Sequence, residues 1–214
     1  MATNVYLVRN GETAWRSEGK LLGRQDLGLT DAGRVQAKNA VRTLGNAEVN
    51  EIVSSPLARA TQTATAFAKH YNIQIARDPR LTDIDAGPWQ GHRVADLWAN
   101  QDFRSFVTSE AEVFPGGEKL QDVRSRVVGS IQQALIDNPA AVGIVVVSHA
   151  GPLRIALAHY LGIPVGKYHR LRISPGAISV VRFESDLQRT RVLAINWAAS
   201  LADVIADLRP PGEA

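Results

Sequence analysis

The chain has 214 residues, no cysteine, and 24 Lys plus Arg against 21 Asp plus Glu, a formal net charge of +3. That length fits one domain spanning 1–214, and the missing cysteine excludes disulfides, thiolate metal ligands and a cysteine nucleophile. Hydrophobic residues make up 45%, enough for a buried core, while the longest apolar run, Ile144 to Val147 with its flanks, is too short to cross a bilayer. Met1 to Val8 lacks the basic stretch and long apolar run of a signal peptide, so a soluble, cytoplasmic protein without membrane contact is expected. The basic excess is almost all arginine, scattered and often beside glycine at loop ends. A nucleic-acid binder would gather its cations into a stripe with interleaved aromatics; this pattern suits small anions.

In chain order, Val5-Tyr6-Leu7-Val8 predicts a short buried strand ended by Asn10-Gly11. Thr30 caps a predicted helix from Asp31 to Leu44, with Gly45 as its stop. Glu51 to Ser55 reads as a second strand, Pro56 as the start of a helix through about His70, and Ile73 to Ile75 as a short third strand. The stretch from Asp78 to Gly117 is irregular and rich in proline and tryptophan. It predicts a lid-like insertion with one short helix near Val94 to Asn100. Glu118 to Asp137 has helical amphipathic spacing, with Leu120, Val123, Ile131 and Leu135 inward. Gly143 to Ser148 is the most strand-like segment, and Pro152 starts a predicted helix to Leu161. Ala177 to Phe183 and Arg191 to Trp197 predict a late strand pair, and the tail over about 207–214 is expected to fray.

Strands alternating with helices imply an α/β fold, a mostly parallel sheet flanked by helices on both faces. In such sheets ligands bind beyond the carboxyl ends of the strands. Three predicted strands end there in polar clusters: Arg9-Asn10-Gly11, Ser54-Ser55-Pro56 with Arg59 one turn on, and Ser148-His149-Ala150-Gly151. Neighbouring strands would bring Arg9, Arg59 and His149 into one pocket, where forked guanidinium donors suit a phosphoryl group. Helix N-termini at Pro56 and Pro152, including the Ala150 backbone, would add N–H groups. Arg16 and Arg24 are further candidate phosphate ligands. No histidine pair stands at zinc spacing with a third ligand, so neither metal nor cofactor is expected.

The same residues carry a family likeness. Leu7-Val8-Arg9-Asn10-Gly11-Glu12-Thr13 resembles the Arg-His-Gly motif of the histidine phosphatase (phosphoglycerate mutase-like) superfamily. Further matching blocks are Gly23-Arg24-Gln25-Asp26, Leu29 to Ala37, Ser54 to Ala64, Asp83 to Gly91, Pro115-Gly116-Gly117-Glu118 and Val147-Ser148-His149-Ala150-Gly151. The resemblance implies that Arg9, Arg59 and His149 hold phosphoryl oxygens, and that a carboxylic acid protonates the leaving oxygen. In many relatives that acid is glutamate; here the aligned residue is Asp83, with Asp85 alternating to the opposite face if the stretch is extended.

The departure is Asn10, standing where the resemblance places the nucleophilic histidine. A carboxamide nitrogen has no available lone pair and cannot form a phosphoramidate, though it can copy one imidazole hydrogen bond. Three readings stay open: a chain inactivated deliberately, a member that lost catalysis and kept phosphate binding, or slow hydrolysis through another nucleophile such as a water positioned by Asn10 or His149. Trp15-Arg16 departs as well, since many relatives have Trp-Asn there. The resemblance implies a phosphatase of small phosphate monoesters, impaired or substrate-trapping at Asn10. The alternatives are a non-catalytic phosphate-ester binder and a phosphoglycerate mutase-type phosphotransferase. Only 23 residues separate Gly91 from Pro115, less than the insertion of cofactor-dependent mutases, which favours the phosphatase. Expected partners are a small phosphorylated substrate or inorganic phosphate, and a second copy in a homodimer. Arg93 and Arg104 hint at a second anionic group on the substrate.

Overall fold

A computed structural model describes residues 2–108, 112–184 and 189–198; the tail expected to fray lies outside them. The strands are β1 (Thr3–Arg9), β2 (Glu51–Ser54), β3 (Ile75–Arg77), β4 (Gly143–Ser148), β5 (Ile178–Phe183) and β6 (Thr190–Trp197). The helices are α1 (Ala14–Ser17), α2 (Asp31–Leu44), α3 (Ala58–Tyr71), α4 (Val94–Leu97), α5 (Gln101–Thr108), α6 (Leu120–Asp137) and α7 (Ala150–Tyr160). Short 3₁₀ turns occupy Pro79–Leu81, Gly87–Trp89 and Val165–Arg170.

The six strands form one sheet in the order β3-β2-β4-β1-β5-β6. β1 to β4 run parallel; β5 is antiparallel to both β1 and β6, so it alone runs against the rest. Side chains alternate across the sheet. Val5, Leu7, Ile144 and Val146 therefore pack on one face with α6, α7 and the aromatic residues Trp89, Phe103 and Phe114. Tyr6, Val8, Val145 and Val147 pack on the other with α2 and α3. The mixed sheet covered on both faces is the α/β architecture expected from the sequence.

Several boundaries differ from the sequence reading. α3 begins at Ala58, not Pro56, because Pro56 sits in a turn where the Ser55 hydroxyl accepts the Leu57 N–H (3.3 Å). Pro152 lies inside the first turn of α7 rather than opening it; extended His149 is the N-cap, and proline is tolerated there because that N–H has no helical partner. The third strand runs two residues later than expected, where Ile75 pairs with Ile52. The 78–117 segment holds two helices rather than one, and the four-residue α1 is unforeseen. α2 follows the expected capping: Thr30 Oγ1 accepts the Gly33 N–H (3.0 Å), and Gly45 ends the helix at φ 62°.

Candidate active site

The carboxyl ends of β1, β2 and β4 lie side by side because β4 pairs with both others. Beyond the sheet, the Asn10 N–H donates to the Ser148 carbonyl (2.9 Å), and the Gly176 N–H donates to the Arg9 carbonyl (3.1 Å). Residues 9 and 10 are thus held as rigidly as a strand. Gly11 cannot be replaced cheaply, since a Cβ there would overlap the Gly33 carbonyl. Its N–H donates to Thr63 Oγ1 (3.1 Å), which itself donates to the Arg59 carbonyl (2.8 Å). These bonds tie the β1 loop to the start of α3.

Arg59 and His149 are each only 1% exposed. Arg59 Nη1 donates to the Gln25 carbonyl (2.6 Å), Nη2 to the Gly23 carbonyl (2.8 Å) and to Asp83 Oδ2 (3.0 Å), and Nε to His149 Nδ1 (3.1 Å). That last bond requires a lone pair on Nδ1, so the imidazole proton sits on Nε2 and is given to Ser55 Oγ (2.8 Å). Burial, and then the charges of Arg59, Arg126 and Arg9, hold the His149 pKa well below its usual value. Both the lone pair on Nδ1 and the burial favour the neutral imidazole. Arg9 Nη1 donates to the Ile173 carbonyl.

Asn10 sits against this group. Its Nδ2–H donates to the Gly11 carbonyl (2.7 Å), and its Oδ1 lies 3.0 Å from His149 Nδ1. Because that nitrogen already accepts from Arg59, two acceptors face each other. With its lone pair already given to Arg59, Nδ1 offers the amide neither a donor nor a free acceptor. A histidine at this position would give an N–H to Gly11 and present a lone-pair nitrogen to the pocket, without the oxygen.

Asp83 and Asp85 part company. The Asp83 carboxylate meets Arg59 and lies 3.9 Å from His149 Nδ1, whereas Asp85 Oδ1 accepts the Gly87 N–H (2.9 Å). A cleft of about 330 Å³ opens beside Asp83, and its charged lining is Arg9, Arg16, Lys20, Asp83, Arg154 and Arg172. Leu21, Ile84, Val94, Phe114 and Tyr168 add apolar and aromatic surface, and Ala150 and Gly151 at the start of α7 complete the lining, to which the buried Asn10, Arg59 and His149 do not belong. Burial pushes the Tyr168 hydroxyl up to about 12; Arg154 lowers it somewhat and Asp83 raises it further. It stays protonated at neutral pH. The cleft can take an anion that also carries an apolar part.

Several expected features fall elsewhere. Arg24 turns its guanidinium to Glu118 (3.2 Å) and Asp85 (3.9 Å) and does not line the cleft. The N-terminus of α3 does not face it either, because the Ala58 N–H is taken by Asp26 Oδ1 (2.6 Å). Arg93 and Arg104 are likewise absent from the lining, and Arg104 Nη1 donates to the Trp98 carbonyl (2.6 Å).

With the geometry in place, comparison with known proteins decides the family. The family description "Histidine phosphatase superfamily (branch 1)" matches residues 5–197. The chain belongs to this superfamily. Phosphoserine phosphatase 1 of Hydrogenobacter thermophilus is 31% identical over 202 residues, covering 93% of this chain and 94% of that protein. A probable phosphoglycerate mutase of Enterobacter sp. (strain 638) is 33% identical over 213 residues, covering 97% and 95%. Among solved structures, a mycobacterial glucosyl-3-phosphoglycerate phosphatase with VO3 has a TM-score of 0.84 at 26% identity, covering 92% of this chain and all of that one. A histidine-to-alanine mutant of phosphoserine phosphatase from Entamoeba histolytica, in complex with phosphoserine, has a TM-score of 0.79 at 25% identity, covering 91% and 96%.

Phosphatases stand beside a probable mutase among these relatives, and phosphatase function, the reaction class that the motifs implied, fits them. Sequence reasoning missed Lys20, Arg154 and Arg172 at the cleft, and Arg126 and Glu118 behind Asp83. Arg154 had a signal, standing one helical turn after Ala150 on α7. Arg172 follows a 3₁₀ turn, and its place depends on how that turn folds back over the cleft. No helix among the described residues is long and apolar enough to cross a membrane. Among them there is also no group of three or more His, Asp or Glu side chains that could hold a metal ion.

Proposed function

We propose that this chain is a histidine phosphatase scaffold that binds small phosphate monoesters and is arrested before phosphoryl transfer by Asn10. The observation carrying this reading is the placement of the residue-10 amide. It spends its N–H on Gly11 and sets an oxygen, not a lone-pair nitrogen, beside His149. Arg9, Arg59 and His149 meanwhile remain buried, and Arg59 Nε donates to His149 Nδ1 (3.1 Å). In this reading Arg9, Arg59, His149 and the Ala150 N–H receive the phosphoryl oxygens, whose charge the cations offset throughout the transfer. Asp83 supplies the leaving group's proton.

Arg16, Lys20, Arg154 and Arg172 along the cleft support a substrate with a second anionic group. The 78–117 insertion contributes Asp83, Ile84, Ala86, Val94 and Phe114 to the wall, as a lid over the ester would. The complex of phosphoserine with a relative lacking one histidine supports binding without turnover.

Converting Asn10→His tests the proposal. The histidine protein is expected to release phosphate from p-nitrophenyl phosphate at least about a thousandfold faster than the asparagine protein. If both stay inert yet bind inorganic phosphate, the chain is a non-catalytic binder. Equal activity in both would transfer the nucleophile's role away from residue 10.

A further inference from the structure

Behind Asp83 lies a partly buried ion pair, Arg126 with Glu118, outside the cleft lining. Arg126, on the second turn of α6, has five N–H donors, and all five are engaged. Nη1 donates to the carbonyls of Arg80 (2.6 Å) and Thr82 (2.7 Å), and Nη2 to the carbonyl of Asp83 (3.2 Å). The remaining two form a fork on Glu118, Nε to Oε1 (2.8 Å) and Nη2 to Oε2 (3.0 Å). Glu118 is fixed in turn by the segment it serves. Its N–H donates to the Asp85 carbonyl (2.9 Å), and its Oε2 accepts the Asp85 N–H (3.4 Å) and Arg24 Nη2 (3.2 Å). Both side chains are mostly buried, at 16% and 13% exposure.

We infer that Arg126, braced by Glu118, is a positioning residue that sets the backbone of residues 80–85 so that the Asp83 carboxyl reaches the leaving-group oxygen. The physical reason is reach. Aspartate has only two side-chain torsions, so its carboxyl goes where the backbone puts it. A longer glutamate could absorb an error in the main chain. This stretch lies outside the sheet, apart from its 3₁₀ turn, so no strand ladder defines it. Side chains define it instead. Ser148 Oγ from β4 donates to the Leu81 carbonyl (2.7 Å), and Ser130 Oγ from α6 donates to Asp78 (2.6 Å). Arg126 alone grips three carbonyls around the acid. Residues well separated in sequence thereby act on one proton. In the Asn10→His protein a histidine nitrogen bonds to phosphorus as the P–O bond to the ester oxygen breaks, and that bond's electron pair leaves on the ester oxygen. The Asp83 proton moves there, and a carboxylate remains.

The inference rests on the reading of Asp83 as the acid, and leaving-group dependence separates the two. In the Asn10→His protein, p-nitrophenyl phosphate and an alkyl ester such as glycerol phosphate are compared, because nitrophenolate departs without a proton and an alkoxide does not. Asp83→Asn is expected to lower kcat on the alkyl ester by about a hundredfold or more and to spare most of the nitrophenyl rate. Arg126→Gln, and the milder Glu118→Gln if Arg126→Gln does not fold, are expected to give the same selective loss, roughly tenfold or more on the alkyl ester alone. Equal losses on both esters in these two variants, with Asp83→Asn still selective, would overturn the positioning role and leave the acid in place. Equal losses in Asp83→Asn would remove the acid reading. An inert Asn10→His protein would remove the phosphatase reading, and this inference with it.

Discussion

The floor and the wall of the cleft are built on different principles. The floor is the buried cluster of Arg9, Asn10, Arg59 and His149, at the ends of paired strands and the start of α3, of which Arg9 lines the cleft itself. Its side chains are 9% exposed or less, and its geometry follows from sheet register. The wall consists of Asp83 and the residues of the insertion and cleft rim. It has no strand ladder, and Asp83 is held by arginine donors to consecutive carbonyls. A floor fixed by register suits the reaction's unvarying part, the phosphoryl group. A wall fixed by side chains can be rebuilt for different substrates without disturbing the sheet.

The comparison breaks most sharply at Arg59. Arg59→Met should abolish measurable inorganic phosphate binding by calorimetry. It should also cost about 3–5 kcal/mol in denaturant unfolding, because Asp83 and two carbonyls lose a buried charged donor. Phe67→Ala, in the core beneath α3, should cost a similar 3–5 kcal/mol while leaving phosphate affinity unchanged, which separates floor chemistry from floor stability. On the wall, Arg154→Ala in the Asn10→His protein should raise KM about tenfold for a carboxylate-bearing ester. It should hardly affect p-nitrophenyl phosphate, and stability should stay nearly constant.

The pH effects are smaller. The folded protein holds the His149 pKa below 6.5. As pH falls below about 6.5, the unfolded chain binds a proton that the folded state refuses, so stability declines. Above that pH His149 is neutral in both states and contributes no slope. His149→Gln should flatten this decline in urea titrations between pH 5 and about 7. Phosphate binding should conversely take up protons, seen as a buffer-dependent calorimetric enthalpy, because a dianion against the imidazole favours its charged form. Glu118 acts at lower pH. Burial raises its pKa, but the Arg126 hydrogen bonds and charge, with help from the Asp85 N–H and Arg24, bring the net value below 4.5. Its stabilisation is present above pH 4.5 and fades as pH falls through the folded value. Glu118→Gln should weaken that acid-limb dependence.

Alternating apolar runs and helix caps made the α/β layers legible in the sequence, because side-chain period and capping chemistry are local properties. The motifs placed Arg9, Arg59 and His149 at strand and helix ends, and strand ends are where such a sheet leaves room for a ligand. The chemistry missing from residue 10 was also readable, since an amide lacks a nucleophilic lone pair in any fold. Tertiary structure alone decided the rest. Which acid meets Arg59, and which turns to Gly87, depends on an irregular backbone whose path Arg126 sets from 43 residues away. Arg24 reads like Arg16 in sequence but is captured by Glu118. The neutral state of His149 comes from complete burial beside three guanidiniums, and no local sequence pattern encodes that distance relation.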